Sequence, residues 1–113
     1  MYEYKAHVTR VVDGDTIDAD VDLGFYMIAR IRMRLARINT PETFSVKKDS
    51  EEYKAGVKSK THVIDAIGGK DVLIRTQKTG KFGRWIAEVL YGADFKTNLS
   101  DELLELGLAR PYA

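Results

Sequence analysis

A nine-residue stretch, Arg34-Leu-Ala-Arg-Ile-Asn-Thr-Pro-Glu42, brings a guanidinium, a side-chain amide and a carboxylate close together. This is too much polar chemistry for a core strand. Pro41 lacks a backbone N–H and disfavours helix at Thr40, so we expect the strand that contains Arg34 to give way to a loop here. Loops held by rigid strands commonly carry function. The stretch is therefore the first candidate for a functional site.

Two other stretches place charged side chains where a strand begins or ends. Val12-Asp-Gly-Asp-Thr-Ile17 sets two aspartates around a glycine turn, and Lys81-Phe-Gly-Arg-Trp85 sets two cations around an aromatic residue and a glycine. Hard divalent cations take oxygen ligands, and a planar guanidinium offers paired donors to a phosphate. We predict that both stretches are partners of the first one.

The composition restricts the class of protein and the kind of metal site. The chain has 113 residues, of which 44% are hydrophobic, and this is enough for one folded domain, 1–113, with its own core. Its 18 basic and 17 acidic side chains give a net charge of +1, so the overall charge gives no indication of nucleic-acid binding. There is no cysteine and only two distant histidines, so any metal must be held mainly by oxygen.

Apolar residues alternate with charged ones along the elements that would position these side chains. Strands are predicted at 6–12, 17–23, 30–35, about 71–76 and 84–91, with turns at Gly14 and Gly24. On the second and third strands we expect cross-strand charge pairing on a solvated face. The residues concerned are Asp18, Asp20, Asp22, Arg30 and Arg32. Arg34 points away from the apolar face of its strand.

Two helices are predicted from their end signals. The first begins at a capping box of Asp49 and Glu52 and stops at Gly68. Its apolar positions at helical spacing are Tyr53, Val57, Ile64 and Ile67. Gly56 costs about 1 kcal/mol in such a helix relative to alanine, which indicates a packing reason. The second helix has Ser100 as a fair N-cap and stops at Gly107.

Five short strands, with one helix between the third and fourth and another after the fifth, predict a small closed barrel of OB type. The fold class is α+β, mainly β. In chain order, VVDGDTI, RLARINTPE, GKFGRWIAEV and NLSDELLELGLAR resemble the staphylococcal nuclease family, from about Val8 to Arg110. That family has the same barrel, so the resemblance supports the fold that the pattern predicts.

The resemblance implies a Ca²⁺ site. Its ligands would be Asp15, residue 39 and the backbone carbonyl of Thr40, with Asp13 in a supporting position. Position 39 departs from the staphylococcal enzyme, since Asn39 replaces an aspartate and removes one negative charge. We therefore expect weaker Ca²⁺ affinity, or dependence on a metal that also binds more weakly charged sites. The alternative is that Asn39 merely caps the strand end and that no metal binds.

The resemblance also implies three catalytic residues. Glu42 matches the glutamate proposed to orient or deprotonate the attacking water, and a carboxylate that is ionised at neutral pH can accept that proton. Arg34 and Arg84 match two arginines that hold the scissile phosphate, where negative charge concentrates during hydrolysis. Each has a structural alternative: a solvated surface glutamate for Glu42, one more member of the charged face for Arg34, and stacking on a neighbouring aromatic ring for Arg84.

Basic loops with an aromatic residue suit a single nucleic-acid strand, because cations meet its backbone and rings stack on its bases. The candidates are Lys47, Lys48, Lys78, Lys81 and Phe82, and Phe82 replaces a family tyrosine. The lysines could equally be solubilising loop residues. Tyr112 could stack near the site.

We therefore expect a calcium-dependent nuclease that hydrolyses DNA and RNA with little sequence preference. The alternatives are a non-catalytic nucleic-acid-binding OB module and a protein-interaction domain. No apolar run is long enough for a membrane span, and the given chain is expected to be cytoplasmic unless a signal was trimmed. Mixed charge on one small barrel leads us to expect a monomer.

Overall fold

The computed structural model of the chain describes residues 2–43, 46–76 and 85–112. The strands in these ranges are β1 (Tyr2–Asp13), β2 (Thr16–Asp22), β3 (Ile28–Leu35), β4 (Ile38–Asn39), β5 (Asp71–Thr76), β6 (Trp85–Tyr91), β7 (Thr97–Asn98) and β8 (Arg110–Pro111). The helices are α1 (Glu51–Ile67) and α2 (Leu99–Glu105), and a short 3₁₀ turn occupies Ala93–Phe95. Among the described residues, no helix has the length and apolar character needed to cross a bilayer.

Strand β1 is shared between two neighbours. Residues 6–13 pair with β2 and residues 2–7 pair with β5, both antiparallel. Its register shifts between Val8 and Arg10 and again between Val11 and Asp13. Such bulges bend and twist a strand, so one strand can serve two parts of a curved sheet. The pairing with β5 also explains why β1 begins at Tyr2, before the start predicted at residue 6.

A short parallel pairing closes the barrel. The strand order is β3-β2-β1-β5-β6-β7, where the short β7 adds to β6 outside the ring, and Met33, Arg34 and Leu35 of β3 lie opposite residues 85–87 of β6. The closed five-stranded OB-type barrel with two helices, α+β and mainly β, is therefore confirmed. Apolar side chains that alternate along the strands fill its interior, including Val8, Ile17, Ala19, Val21, Met33, Leu35, Val72 and Val89.

Opposite charges pair across the outer face of β2 and β3, as predicted. Nε of Arg30 donates to Oδ1 of Asp20 and Nε of Arg32 donates to Oδ1 of Asp18, both at 2.8 Å, and each arginine makes a second bond to the same carboxylate. These hydrogen bonds lower the pKa of both aspartates against a smaller opposing effect of desolvation. Asp22 differs, because it lies opposite Ile28 and accepts a hydrogen bond from the N–H of Gly24.

The ends of the two helices correct the predicted caps. Oγ of Ser50, not Asp49, caps α1 by accepting from the N–H of Tyr53. Oδ1 of Asn98, not Ser100, caps α2 by accepting from the N–H of Asp101. The cap of α1 lies one residue after the predicted one, and the cap of α2 lies two residues before it. Both are residues with a hydroxyl or an amide side chain, which are favoured at this position. Ser100 is instead completely buried.

The face of α1 that packs on the barrel includes only part of the predicted apolar positions. Its buried residues are Gly56, Ser59, Val63 and Ile67, whereas Val57 and Ile64 are exposed. Small residues occupy this face because the helix passes very close to other backbone. A Cβ atom added to Gly56 would lie 2.7 Å from the carbonyl oxygen of Pro41 and 2.8 Å from that of Glu42. This contact is the packing reason that Gly56 indicated.

We expect Gly56→Ala to destabilise the protein by about 1–3 kcal/mol, because the steric conflict with backbone outweighs the gain in helix propensity. Urea unfolding measures the effect. Lys58→Ala, at an exposed position of the same helix, is the control and should change the free energy of unfolding little. An alanine at position 56 that stabilises the fold would show that the helix does not hold residues 41–43 in place.

Candidate functional site

Asp15 is a nearly buried carboxylate where the β1–β2 turn meets the segment after β4. It is 6% exposed. Oδ1 accepts from the hydroxyl of Thr16 at 3.0 Å, and Oδ2 accepts from the N–H of Thr40 at 3.2 Å. Nη1 of Arg34 lies 3.4 Å from the same Oδ2. Both carboxylate oxygens therefore have partners, as a buried charge requires.

Arg34 lies near the end of β3 and contacts two other predicted site residues, Asp15 and Asn39. Its Nη2 donates to Oδ1 of Asn39 at 2.8 Å and to the carbonyl oxygen of Ile38 at 3.2 Å. Only 17% of its side chain is exposed, whereas Arg30 and Arg32 on the same strand are largely exposed. Arg34 is therefore not simply another member of the charged face.

Thr40 brings the segment after β4 against the β1–β2 turn and α1. It is buried, and within the described residues its Oγ1 has no hydrogen-bond partner. A Cβ atom on Gly14 would lie 2.9 Å from this oxygen and 3.1 Å from Cβ of Ser59. Only glycine therefore fits between the threonine and the helix. This close packing determines where the backbone of Thr40 lies relative to Asp15.

The loop that carries Glu42 is attached at both sides, although the Glu42 side chain itself is exposed. The backbone of residues 41 and 42 rests on Gly56 of α1. On the other side, Oδ1 of Asp13 accepts from the hydroxyl of Thr43 at 3.2 Å and from the N–H of Gly14 at 3.0 Å. Asp13 thus links the turn to the Glu42 loop, an arrangement consistent with the supporting position that we predicted for it.

Arg37, to which the sequence assigned no role, fixes the turn between β3 and β4. Its backbone adopts a φ of +67°, which side-chain-bearing residues rarely adopt. Its Nε and Nη2 bind Glu88 of β6 at 2.7 and 2.9 Å, and Nη2 also binds Asp101 of α2 at 2.7 Å. Partners on two elements hold this strained residue. The turn that separates Arg34 from Asn39 is thereby fixed to the barrel.

The C-terminal segment supports the site from the outside. Strand β8 pairs with β4, with Arg110 opposite Asn39, and the N–H of Tyr112 donates to the carbonyl oxygen of Arg37 at 2.9 Å. The ring of Tyr112 lies 4.9 Å from Cζ of Arg34, a cation–π contact. Tyr112 therefore stacks beside the site, on the guanidinium. The pairing of β4 with β8, which places it there, has no local sequence signal.

The predicted calcium ligands suit a hard cation in kind, but they carry little charge. Asp15, Asn39 and the Thr40 carbonyl offer carboxylate, amide and peptide oxygens, the donors that Ca²⁺ takes. Across the described ranges, however, no three acidic, histidine or cysteine side chains lie close enough together to hold a metal. The two acceptors Asp15 Oδ2 and Asn39 Oδ1 are also occupied by the two terminal nitrogens of Arg34.

Other predicted site residues make no side-chain hydrogen bond or ion pair with Asp15, Arg34 or Asn39 in the part of the chain that the structure describes, or fall outside the described residues. Lys47 and Lys48 are exposed in the segment before α1. Arg84, Lys81, Phe82 and Lys78 fall in 77–84, outside the described residues. The roles of all these residues stay predictions. Two residues that the sequence analysis missed, Thr16 and Thr43, hold the aspartates of the turn.

The fold and the site together define a class of protein: an OB-type barrel with a polar site at the ends of its strands. Residues 32–113 match the family of staphylococcal nuclease homologues, so the chain belongs to that family. Endonuclease YhcR of Bacillus subtilis is 28% identical over an alignment of 116 positions that covers 97% of this chain and 9% of that protein. The uncharacterized protein MJ1439 of Methanocaldococcus jannaschii is 28% identical over an alignment of 128 positions that covers 96% of this chain and 59% of that protein. The chain thus spans less than two thirds of either relative.

Glu88→Gln tests whether the Arg37 contacts hold the site turn. Hydrogen bonds from Arg37 lower the pKa of Glu88 below its ordinary value of 4.5, against an opposing effect of burial. The carboxylate therefore stabilises the fold above about pH 4.5, and this contribution is lost as the pH falls through the folded-state pKa. We expect the variant to lose about 1–2 kcal/mol at pH 7.

The difference in unfolding free energy between wild type and variant should shrink below that pH, as denaturant titrations at several pH values would measure. Glu3→Gln is the control, because Glu3 pairs with Arg75 on an exposed surface and should contribute little. A difference that stays constant down to low pH would contradict the assignment to the Glu88 carboxylate.

Proposed function

We propose that this chain is a nuclease that hydrolyses phosphodiester bonds of DNA and RNA, with Ca²⁺ as its metal ion and with little sequence preference. The observation that carries the proposal is the joining of Asp15, Arg34 and Asn39 at one end of the barrel, in a chain of the staphylococcal nuclease family. A mostly buried guanidinium can bind a phosphodiester, two oxygen ligands can bind a cation, and the glutamate of the neighbouring loop can orient a water molecule.

Arg34 would bind the scissile phosphate through its planar donors. In the absence of substrate, Nη2 donates to the neutral amide of Asn39 and to a backbone carbonyl. A phosphate oxygen is charged and is a stronger acceptor than either of these. Substrate can therefore displace these contacts, while the Nη1 contact with Asp15 and the ring of Tyr112 keep the guanidinium oriented.

Glu42 would orient or deprotonate the attacking water. Its backbone is positioned by Gly56, and the hydrogen bond between Thr43 and Asp13 holds the next residue. Exposure leaves its carboxylate free to reach a water molecule next to the phosphate. The two anchored sides of the loop reduce the conformational entropy lost when the carboxylate takes up its reactive position.

Asp15, Asn39 and the Thr40 carbonyl would hold the ion, with Asp13 in support. When bound, Ca²⁺ supplies positive charge that offsets the charge developing on the phosphoryl oxygens. Arg84 would be the second donor to that phosphate. Lys47, Lys48, Lys81 and Phe82 would bind the rest of a single strand. Contacts of these types to phosphates and stacked bases carry little sequence information, which accounts for the weak preference.

A nucleic-acid-binding module without catalysis is the second candidate. One observation favours it: Arg34 already occupies oxygens of both Asp15 and Asn39, and Asn39 brings no charge to compete for a cation. If the ion never displaces these contacts, the chain would bind a strand without cutting it.

Release of acid-soluble nucleotide from single-stranded DNA and from RNA tests the two candidates. We expect cleavage with Ca²⁺, loss of cleavage with chelator, and a decrease of about 10²–10⁴-fold in Glu42→Gln and about 10²–10³-fold in Arg84→Ala. Glu51→Gln and Arg75→Ala, at exposed positions without a proposed role in the site, are the matched controls and should keep full activity.

Equal activity in wild type and Glu42→Gln would refute the catalytic assignment. Retardation of oligonucleotides on a gel without any cleavage would support the binding module instead.

Asn39→Asp should tighten Ca²⁺ binding by about 10-fold or more, because it adds a charged oxygen ligand. Calorimetric titration of the protein alone, without substrate, measures this affinity. Thr61→Asp adds the same charge at an exposed position of α1 and controls for net charge. Affinity no higher in Asn39→Asp than in Thr61→Asp would contradict the ligand assignment.

A further inference from the structure

The turn between β2 and β3 exposes four consecutive large apolar side chains. We call Phe25, Tyr26, Met27 and Ile28 the tip. Phe25 is 94% exposed and Tyr26 is 105% exposed, and the other two are more than half exposed. Single exposed apolar residues are common on protein surfaces, but contiguous apolar patches mark interaction sites.

The backbone of the tip is also strained. The N–H of Met27 donates to the carbonyl oxygen of Gly24, and the two residues between them have φ values of +55° and +61°. A hairpin turn with positive φ at both central positions normally carries asparagine and glycine. Here Phe25 and Tyr26 occupy those positions. Strained backbone that carries exposed side chains indicates a role outside the chain's own fold.

An apolar cavity opens at the same end of the barrel. We call it the mouth. It has a volume of about 240 Å³ and its walls include Tyr4, Val21, Ile31, Met33 and Trp85. An apolar cavity of about 150 Å³ is enough to hold a benzene molecule, so the mouth can accept an aromatic ring. Leu23, which also lines the mouth, lies two residues before Phe25.

We propose that two copies of this chain associate through this end, with the tip of each copy in the mouth of the other. Because the tip and the mouth lie at the same end of one chain, two copies related by a two-fold axis can form both contacts at once. The two aromatic rings offer roughly 300–500 Å² of surface per copy. With Met27, Ile28 and the mouth walls, the interface comes close to the roughly 800 Å² per partner of a standard complex.

The charge beside the tip favours a second copy over an anionic partner. Asp22 adjoins the turn and, in the part of the chain that the structure describes, has no salt-bridge partner, while Asp20 is paired with Arg30. A tip without surplus positive charge gains nothing from anionic lipid or from nucleic acid. The mouth of another copy is lined by uncharged, mainly apolar side chains, so Asp22 meets no charge repulsion there.

The tip lies away from Asp15 and Arg34. Asp15 precedes β2 and Arg34 lies near the end of β3, whereas the tip joins the other ends of these two strands. In the sequence, Trp85 of the mouth directly follows Arg84, which is proposed to bind the phosphate. The proposal rests on the apolar tip and mouth and does not depend on whether the site cuts or only binds nucleic acid.

The double variant Phe25→Asn, Tyr26→Gly tests the tip without harming the fold, because it installs the turn sequence that this backbone favours. Sedimentation velocity and light scattering would follow the mass from about 1 µM to about 1 mM, a range that brackets weak to moderate complexes. Wild type should rise from one to two chain masses. The double variant should stay at one chain mass and melt at the same or a higher temperature.

The second arm tests the mouth. Tyr4→Lys places a charge at its wall and should also give one chain mass at all concentrations, with melting measured to verify the fold. Ile64→Gln removes an exposed apolar side chain from α1 and should associate like wild type.

Wild type that stays monomeric throughout, or association that persists in the double variant, would overturn the proposal. A monomer that binds phosphatidylcholine or phosphatidylglycerol vesicles through the tip would overturn it too and would identify a membrane contact.

Discussion

The carboxylate of Asp15 is the contact on which the candidate site depends. It receives a hydroxyl from β2, a backbone N–H from the segment after β4, and a guanidinium from β3. A buried carboxylate is costly unless its oxygens are bonded, so the three elements are held to one arrangement. The same oxygens are those proposed to hold a cation. The groups that stabilise the fold and the proposed cation therefore compete for the Asp15 carboxylate, and Arg34 already contacts it.

Glycine residues determine how closely the elements around Asp15 approach. Gly14 and Gly56 each lie where a Cβ atom would meet another element at 2.9 Å or less. Gly14 allows Thr40 to pack against the β1–β2 turn, and Gly56 allows the backbone of Pro41 and Glu42 to pack against α1. Arg37 then fixes the opposite side through Glu88 and Asp101. The site loop is thus held by steric fit on one side and by charge on the other.

Local patterns in the sequence were sufficient for the barrel, but not for its details. Alternation identified the five main strands and the charged face on which Asp18 and Asp20 pair with Arg32 and Arg30, because both depend on neighbours two residues apart or directly opposite. The apolar periodicity of α1 was right for Ile67 and wrong for Val57 and Ile64, because the small residues Gly56 and Ser59 occupy the closely packed face. The roles of Arg37 and Tyr112 depend on partners from distant parts of the chain, which no local pattern indicates.

The seam between β3 and β6 joins residues that are about fifty positions apart, at Met33–Leu35 and 85–87. Closing so long a loop has an entropic cost that local hairpins avoid, so the β1–β2 and β2–β3 hairpins can form before the seam. Arg34 belongs to the seam, and Glu88, which holds Arg37, follows it on β6. During folding, Arg34 and the turn that Arg37 holds should therefore reach their final arrangement in the step that closes the barrel.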